Sequence, residues 1–434
     1  MFALGYSGWS ILGFGFSVSD DPSPAYSIVN FRSTIFCLLF LGCGLSLKAD
    51  TIPEFRGAWI PSVFNLCFPS RAGLSSVAQK VEIVKLLDVA QSMHLTDVFF
   101  QIRPESDALY ASSLEPWSRY LTGRQGDSPG YDPLKYMIQE AKKRGIAVHA
   151  WLNPYRAAAS ASSPLTSDHV GNRLSSVAHQ IDSTLWMDPG SRAVQDEIVQ
   201  VAVDIVTRYD VAGIHLDDYF YPYPIHPPIP VDIPDDATFQ AYRTGGGLLS
   251  LANWRRNNVN QLIQRLSHAI KAAKPGVLFG VSPFGVYRPN IPQGVSARLD
   301  QFGLLYVDPV KWMREGWVDY LAPQLYWPDQ SEQSFSALLS WWRDPKINPR
   351  GIPIYPGIAL ERLNPPYDWP AREILHQVQL TRQIRAANET STGFILWQLK
   401  SLLVNTKEIR ETLDSELNNR NGSELLTIHA KNGD

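Results

Sequence analysis

The sequence predicts an α/β fold, a (β/α)8 TIM-like barrel with a long insertion after strand 4. From residue 54 onward, short apolar runs alternate eight times with segments that carry helical spacing. The runs are apolar almost throughout, which is typical of parallel strands that are covered on both faces. No glycine-rich phosphate loop follows the first strand, so the pattern favours a closed barrel over an open nucleotide-binding sheet.

The predicted strands and helices follow one another in a regular order. We place the strands at 56–60, 96–102, 146–152, 211–217, 277–283, 318–325, 352–359 and 392–398. We place the helices near 76–94, 132–144, 190–209, 253–274, 307–316, 333–343 and 369–388, where apolar residues recur at the spacing of one buried face. A Pro- and Gly-rich insertion, 219–247, follows strand 4, and we expect it to form one wall of a cleft.

The composition excludes some classes of function. The net charge of the 434-residue chain is -3 at pH 7, so it offers no basic surface for a phosphate backbone and we predict no nucleic-acid partner. The 13 Trp, 18 Tyr and 18 Phe can supply both a large core and flat platforms for sugar rings. Cys37 and Cys43 fall in an N-terminal apolar run, and without that run Cys67 alone is left, which permits no internal disulfide.

Residues 1–50 are predicted to be a signal peptide region. Arg32 precedes the apolar run 33–47, and a small residue before a polar one follows, which is the layout of a secretory signal. The run is shorter than the roughly 20 residues of a membrane span, although a signal anchor or a lipid on Cys43 stays open. Translation is expected to begin near Val29. We therefore predict an exported protein of the periplasm or cell envelope, with a barrel over 51–410 and a polar C-terminal tail over 411–434.

Carboxylates at the carboxyl ends of the predicted strands are the candidates for catalysis, because barrel active sites form at that face. Glycoside hydrolysis needs two carboxyl groups, one as acid and one as nucleophile or base. Asp217 and Asp218 end strand 4, and Asp107 lies on the loop after strand 2. Glu105 and Glu361 are weaker candidates. The structural alternative is that such an Asp caps a helix or pairs with a neighbouring arginine.

Other polar and aromatic residues at the strand ends are candidates for sugar contacts, although hydrogen bonding at the rim or core packing explains any one of them equally well. They are Trp59, Gln101, Arg103, Asn153, Tyr155, Arg156, His215, Tyr219, Gln324, Tyr326, Trp327 and Trp397. His149 and His215 have no third ligand at the expected spacing, so we predict neither a metal nor a cofactor.

Several long motifs occur in order between residues 54 and 400. They are FRGAWIPSV (55–63), DVFFQIRPESDALY (97–110), YDPLKYMIQEAKKRGIAVHAWLNPYR (131–156), LWMDPGSRAVQDEIVQVAVDIVTRYDVAGIHLDDYFYP (185–222), WRRNNVNQLIQRL (254–266), VSPFGVYR (281–288) and VDYLAPQLYW (318–327). With these motifs the chain resembles the glycosyl hydrolase-like 10 family. The resemblance implies a TIM-like barrel in a bacterial envelope protein, and it implies glycan strands of peptidoglycan without peptides as the substrate class.

A fainter likeness links GIHLDDY (213–219) and GFILW (393–397) to the chitinase superfamily. In that comparison Tyr219 stands where a catalytic Glu is expected, which leaves Asp217 or Asp218 to supply the proton. The leading hypothesis is a retaining-type or substrate-assisted glycosidase that cleaves a cell-wall polysaccharide, with Asp107 assisting. The alternatives are a non-catalytic glycan-binding barrel and a metal-dependent carbohydrate deacetylase.

Overall fold

The computed structural model describes residues 54–385 and 391–418. Within them, eight parallel strands form one sheet, and the predicted strand positions are confirmed. The strands are β1 (Phe55–Ile60), β2 (Asp97–Arg103), β3 (Ala147–Leu152), β4 (Gly213–Leu216), β5 (Leu278–Val281), β6 (Tyr320–Leu321), β7 (Gly357–Ala359) and β8 (Gly393–Trp397).

The strands follow the order of the chain around a ring. β1 pairs with both β2 and β8, and the sheet continues through β3, β4 and β5 on one side and through β7 on the other. Two isolated parallel bridges, Leu321 to Ile354 and Gln324 to Gly357, connect the β6 segment to the β7 segment. The sheet therefore curls into the predicted (β/α)8 barrel.

Among the described residues, helices cover the outside of the sheet; seven match the predicted segments, and six others, including Asp236–Thr244 in the insertion after strand 4, were not predicted. The helices are Ser76–Ser92, Arg119–Thr122, Pro133–Lys142, Val170–Arg173, Arg192–Arg208, Asp236–Thr244, Leu251–Ala273, Gln301–Leu304, Pro309–Glu315, Phe335–Arg343, Ala371–Gln383, Leu399–Val404 and Ile409–Asn418. Short 3-10 turns lie at Val63–Asn65, Ser175–Val177, Leu360–Leu363 and Thr406–Glu408. Local sequence sets several helix starts: Asp132 accepts from the Lys135 amide at 2.9 Å, and Ser191 accepts from the Val194 amide.

Two features differ from the sequence-based expectation. A three-stranded antiparallel sheet (Arg156–Ala158, Ala178–Ile181, Thr184–Met187) follows β3, where no strands were predicted. The predicted polar tail is folded over its first part, because the helix Ile409–Asn418 buries Leu413 and Leu417 completely. The folded barrel thus extends to Asn418 rather than to residue 410.

The predictions for the N-terminus lie outside the described residues. They concern the signal peptide region 1–50, the lipid at Cys43 and the start at Val29, and they stay predictions. Among the helices that the structure describes, none has the length and apolar character that crossing a bilayer requires.

Aromatic rings fill the inside of the barrel and form a cluster separate from the core between strands and helices. Its buried members are Trp59, Phe99, Trp151, Tyr320, Ala322, Tyr355 and Ile395. Glycines in the strands make room for these rings: a Cβ on Gly280 would lie 2.1 Å from the ring of Tyr320, and one on Gly213 would lie 2.3 Å from Nδ1 of His149. The interior is thus a packed core, and the carboxyl ends of the strands above it are where active sites of such barrels form.

Candidate active site

The carboxyl end of β4 places Asp217 over the aromatic interior. Its Oδ2 accepts hydrogen bonds from Nε1 of Trp151 at 3.0 Å and from Nδ2 of Asn153 at 3.2 Å. Its Oδ1 is buried and has no hydrogen-bond partner among the described residues. Burial raises the pKa of Asp217 to about 7, against the charge of Arg156, and the charge of Asp218 adds to the increase. Asp217 can therefore hold a proton near neutral pH.

Asp218 lies beside Asp217, and it is held by residues from two other segments. Tyr223, on the insertion after β4, donates its hydroxyl hydrogen to Oδ2 of Asp218. Burial raises the pKa of Asp218 to about 6, while the hydrogen bonds from Tyr223 and Gln324 lower it. Those bonds favour the charged form of Asp218, as the bonds from Trp151 and Asn153 do for Asp217.

The positive charge of Arg156 acts on both members of this pair. Its backbone amide donates to Oδ1 of Asn153 at 2.9 Å, and its guanidinium carbon lies 4.9 Å from the ring centre of Tyr219. The charge of Arg156 lowers the pKa of both Asp217 and Asp218. Asn153, Arg156 and Tyr219, all predicted to contact sugar, therefore belong to one group around the two carboxylates.

A second group of predicted residues lies across the top of the barrel from β4. The indole of Trp397, at the end of β8, donates from Nε1 to Oε2 of Glu361, which follows β7. The ring of Trp397 packs against Trp59 at 6.0 Å and against Trp151 at 5.9 Å between ring centres. Tyr326 lies 6.5 Å from Trp397 in a stacked arrangement. The three tryptophans thus make a continuous aromatic surface between Asp217 and Glu361.

A chain of buried hydrogen bonds runs below this surface along the barrel interior. Nε1 of Trp59 can only donate, so Nε2 of His215 accepts its hydrogen at 3.2 Å. Burial, with the nearby His149, holds the pKa of His215 well below its usual value, so the ring is neutral and carries its hydrogen on Nδ1. That hydrogen goes to the hydroxyl of Tyr320 at 3.1 Å.

The same chain continues to the opposite end of the barrel. The hydroxyl of Tyr320 donates to Nδ1 of His149 at 3.2 Å, and Nε2 of His149 then donates to Oδ1 of Asp97 at 3.1 Å. Because the Trp59 indole can only donate, the direction of each following hydrogen bond, from His215 to Asp97, follows from it. His215 is completely buried, so its role is to hold Trp59 rather than to touch sugar.

Asp107, predicted to assist catalysis, lies in a different environment. It is completely buried on the loop after β2, where Oδ1 accepts from the Glu105 amide at 3.2 Å. Burial raises its pKa to about 7, and the charge of Glu105 adds to the increase, whereas hydrogen bonds from Ser118 and Gln125 lower it. All of these partners belong to the same loop region. The contacts therefore give Asp107 a place in holding that loop, whose Pro104 carbonyl accepts from the guanidinium of Arg156.

Three predicted sugar contacts are enclosed by the protein. Oε1 of Gln101 accepts from the amides of Ser62 and Val63, which fixes the loop after β1. Arg103 is 1% exposed and forms a buried ion pair with Glu115 at 2.6 Å. Tyr155 is fully buried. All three side chains are buried, so they act on the framework of the site.

Two predicted residues at the end of β6 lie beside the site. The amide of Gln324 donates to the Ser282 carbonyl at 3.0 Å and also lowers the pKa of Asp218. Trp327 packs edge to face on Phe284, with 5.4 Å between ring centres, and Phe284 also contacts Tyr223. Gln324 therefore contacts the acidic pair, and Trp327 supports the segment that does so.

Residues that sequence reasoning missed or undervalued complete the site. Tyr223 was treated as part of a Pro-rich insertion, although the repeated Tyr-Phe-Tyr-Pro-Tyr spacing gave a signal that aromatic rings return towards Asp218. Glu361 was a weaker candidate because it follows the strand by two residues. Among the residues that the structure describes, no group of three or more His, Cys, Asp or Glu side chains is arranged to hold a metal ion.

Comparison with known proteins gives consistent matches. A family model described as Glycosyl hydrolase-like 10 matches residues 54–371. The chain is 38% identical over 402 residues to Glycosyl hydrolase YngK of Bacillus subtilis (strain 168), covering 90% of this chain and 77% of that protein. It is 36% identical over 374 residues to Glycosyl hydrolase DigH of Escherichia coli (strain K12), covering 79% of this chain and 82% of that protein.

A solved structure with a similar fold is the catalytic domain of β-amylase from Paenibacillus polymyxa. The TM-score is 0.53 at 12% sequence identity, and the alignment covers 85% of this chain and 99% of that domain. At this identity the likeness shows the barrel fold alone.

Proposed function

Since the chain belongs to the glycosyl hydrolase-like 10 family and is a glycoside hydrolase, we propose that it cleaves glycosidic bonds in a cell-wall polysaccharide. The proposed substrate is the glycan strand of peptidoglycan from which the peptides have been removed, which is what the family resemblance carried by the motifs from 55 to 327 implies. The observation that carries the proposal is the pair Asp217 and Asp218 at the end of β4, with one oxygen of Asp217 unpartnered among the described residues.

Asp217 is the proton donor in this proposal. Its Oδ2 already accepts two hydrogen bonds, so a proton resides on Oδ1. With its pKa raised to about 7, mainly by burial, the carboxyl group is protonated in a large share of molecules at neutral pH. It can then give this proton to the glycosidic oxygen as that bond breaks.

Asp218 has a complementary role, because Tyr223 and Gln324 stabilise its charged form. A charged Asp218 next to Asp217 raises the pKa of Asp217, and it also stabilises positive charge that develops on the sugar ring in the transition state. The ring of Trp397 is partly exposed above the buried Trp59 and Trp151, and it offers an apolar face to a sugar ring.

The test is release of new reducing ends from amidase-treated peptidoglycan and from a panel of other polysaccharides. We expect the unchanged protein to release them and Asp217→Asn to lose roughly 10²- to 10⁴-fold in rate, the range for general acid catalysis. Asp210→Asn is the matched control, because its side chain is 72% exposed and forms ion pairs on the surface. Full activity in a folded Asp217→Asn variant would remove Asp217 from the proton-donor role.

The proposed location is outside the cytoplasm, from the signal-type pattern over residues 1–50. The experiment is N-terminal sequencing of the protein recovered from an envelope fraction. A mature chain that begins near residue 50 supports export, and a chain recovered in the cytoplasm with residues 33–47 intact opposes it.

A further inference from the structure

The acid Asp217 needs a second carboxylate on the other side of the scissile bond, because two carboxyl groups flank that bond in most glycosidases. Asp218 is the next residue in the chain, so it extends from the same wall, the end of β4. Asp107 is fully enclosed by the loop after β2. The second carboxylate has to come from a strand elsewhere in the ring.

We infer that Glu361, at the end of β7, is the second catalytic carboxylate, facing Asp217 across the aromatic surface. This inference rests on the proposed function. Glu361 lies in the short turn Leu360–Leu363 directly after β7, and the buried side chains of Leu360 and Leu363 anchor that turn. In a ring of eight strands, β7 lies three positions from β4, so the two carboxylates stand on different walls. The Glu361 side chain is 35% exposed and therefore open to a ligand.

The contacts of Glu361 orient it towards the cleft. Its Oε2 accepts from Nε1 of Trp397, and the ring of Trp397 touches Trp151, whose own indole nitrogen donates to Asp217. The two carboxylates are thus held at opposite ends of one pair of indoles. Tyr326 lies between the walls, since the charges of both Glu361 and Asp218 raise the pKa of its hydroxyl, after burial.

Glu361 acts as a nucleophile or a base in its ionised form. Burial raises its pKa above the usual value, and the hydrogen bond from Trp397 and the guanidinium of Arg362, 3.7 Å away, offset part of this increase. One oxygen, Oε2, is occupied by the indole hydrogen, and the other, Oε1, lies 3.7 Å from Nε of Arg362 and is the oxygen assigned to the reaction.

The chemical step balances with these two groups. As the glycosidic C–O bond breaks, the leaving oxygen takes the proton of Asp217, and an oxygen of Glu361 forms a bond to the anomeric carbon. Water then attacks that carbon, gives its proton to Asp217 and releases the Glu361 carboxylate. If a water molecule fits between Glu361 and the sugar, Glu361 instead takes a proton from that water as it attacks.

The experiment compares Glu361→Gln, Glu361→Ala and the control Glu315→Gln, a change at an exposed residue at the end of the helix Pro309–Glu315. Each variant is assayed for reducing-end release, for KM and for thermal unfolding. We expect roughly a 10²- to 10⁴-fold loss of kcat in both Glu361 variants, with KM little changed, and no loss in the control. Glu361→Gln keeps an oxygen that can accept from Trp397, which protects the local fold.

Chemical rescue separates a reacting carboxylate from one that only positions Trp397. Added azide or formate should restore rate in Glu361→Ala and not in Glu361→Gln, because the anion fits the space that the shortened side chain leaves. Activity within tenfold of the unchanged chain in either variant, or a folded Glu361→Ala that neither anion restores, would overturn the inference. If the unsubstituted protein releases no reducing ends from any polysaccharide, the proposed function itself is wrong. If the unsubstituted protein is active and the Glu361 variants are equally active, only the role of Glu361 is wrong.

Discussion

Trp151 and Trp397 pack edge to face, with ring centres 5.9 Å apart and planes at 67°, and each donates its indole hydrogen to a different carboxylate. One contact between rings therefore sets the positions of Asp217 and Glu361 together. A substitution of either tryptophan should shift mainly the pKa of the carboxyl group to which that indole donates. The pH dependence of activity can therefore distinguish Asp217 from Glu361.

Trp397→Phe removes the hydrogen bond to Glu361 and keeps an aromatic ring. Because that bond lowers the pKa of Glu361, its loss raises the pKa. A group that acts when ionised then needs a higher pH, so the acid limb of kcat/KM should move to higher pH. The measurement is the pH profile, with Trp341→Phe on the outer helix Phe335–Arg343 as the control. An unshifted acid limb contradicts the prediction.

Arg156→Gln should shift the alkaline limb of the pH profile of kcat/KM. The charge of Arg156 lowers the pKa of Asp217 and of Asp218, so without it both carboxyls keep their protons to higher pH. We expect the alkaline limb of kcat/KM to shift upward, because the acid stays protonated. Arg192→Gln, whose side chain is 70% exposed, is the control. A shift in the opposite direction would show that Arg156 acts on a different group.

Asp217→Asn should stabilise the fold at alkaline pH while activity is lost. The folded pKa of about 7 lies above the unfolded value near 3.9, so the contribution of Asp217 to stability is fully present below pH 4 and is lost as pH rises through 7. At pH 8 the variant should therefore gain on the order of 2–4 kcal/mol in the free energy of unfolding. Urea titrations of the unsubstituted protein and the variant at pH 4 and pH 8 check this. An equal difference in the free energy of unfolding at the two pH values would refute it.

Tyr320→Phe should destabilise the barrel. The change leaves Nδ1 of His215 and Nδ1 of His149 without the hydroxyl that joins them, which costs roughly 2–4 kcal/mol for two buried polar atoms. Tyr155→Phe is the matched control, because the buried Tyr155 hydroxyl has no hydrogen-bond partner in the part of the chain described. Its unfolding free energy should change by about 1 kcal/mol or less. Similar losses in the two variants would contradict the role of the chain of hydrogen bonds.

Shortening the exposed tip of the insertion, 225–230, should weaken binding of long glycans and spare folding. Ile225 and Ile229 are 62% and 66% exposed, whereas Phe220 and Tyr221 at the base of the insertion are fully buried. We therefore expect KM for polymer to rise several-fold and KM for a short oligosaccharide to stay the same. Equal KM values for both substrates, before and after the change, would show that the tip does not line the cleft.

The fold was predictable from sequence because each strand is a nearly continuous apolar run and each helix carries a buried face. The pair Asp217 and Asp218 was predictable for the same reason, since both directly follow such a run. The antiparallel sheet after β3 was missed because its strands have three or four residues each, too few to show a period.

Within the site, sequence-based prediction failed where segments distant in sequence come into contact. Arg103 ends β2 and reads as a rim residue, but Glu115, 12 positions later, folds back to pair with it. Glu361 and Trp397 are 36 positions apart, and the pairing of β7 with β8 brings them together. The periodicity of a strand predicts the face on which a side chain lies. It does not predict which loop residues cover that side chain.

The barrel closes between β6 and β7 through an irregular join. β4, which carries Asp217, pairs through four residues with β3 and through four with β5. β6 pairs through two residues with β5 and meets the β7 segment through isolated bridges. Four backbone hydrogen bonds nevertheless cross this join, and their donors are the amides of Leu321, Leu325, Tyr355 and Gly357. The join therefore closes the ring without a regular ladder, and the amide hydrogens of these four residues should resist exchange with solvent.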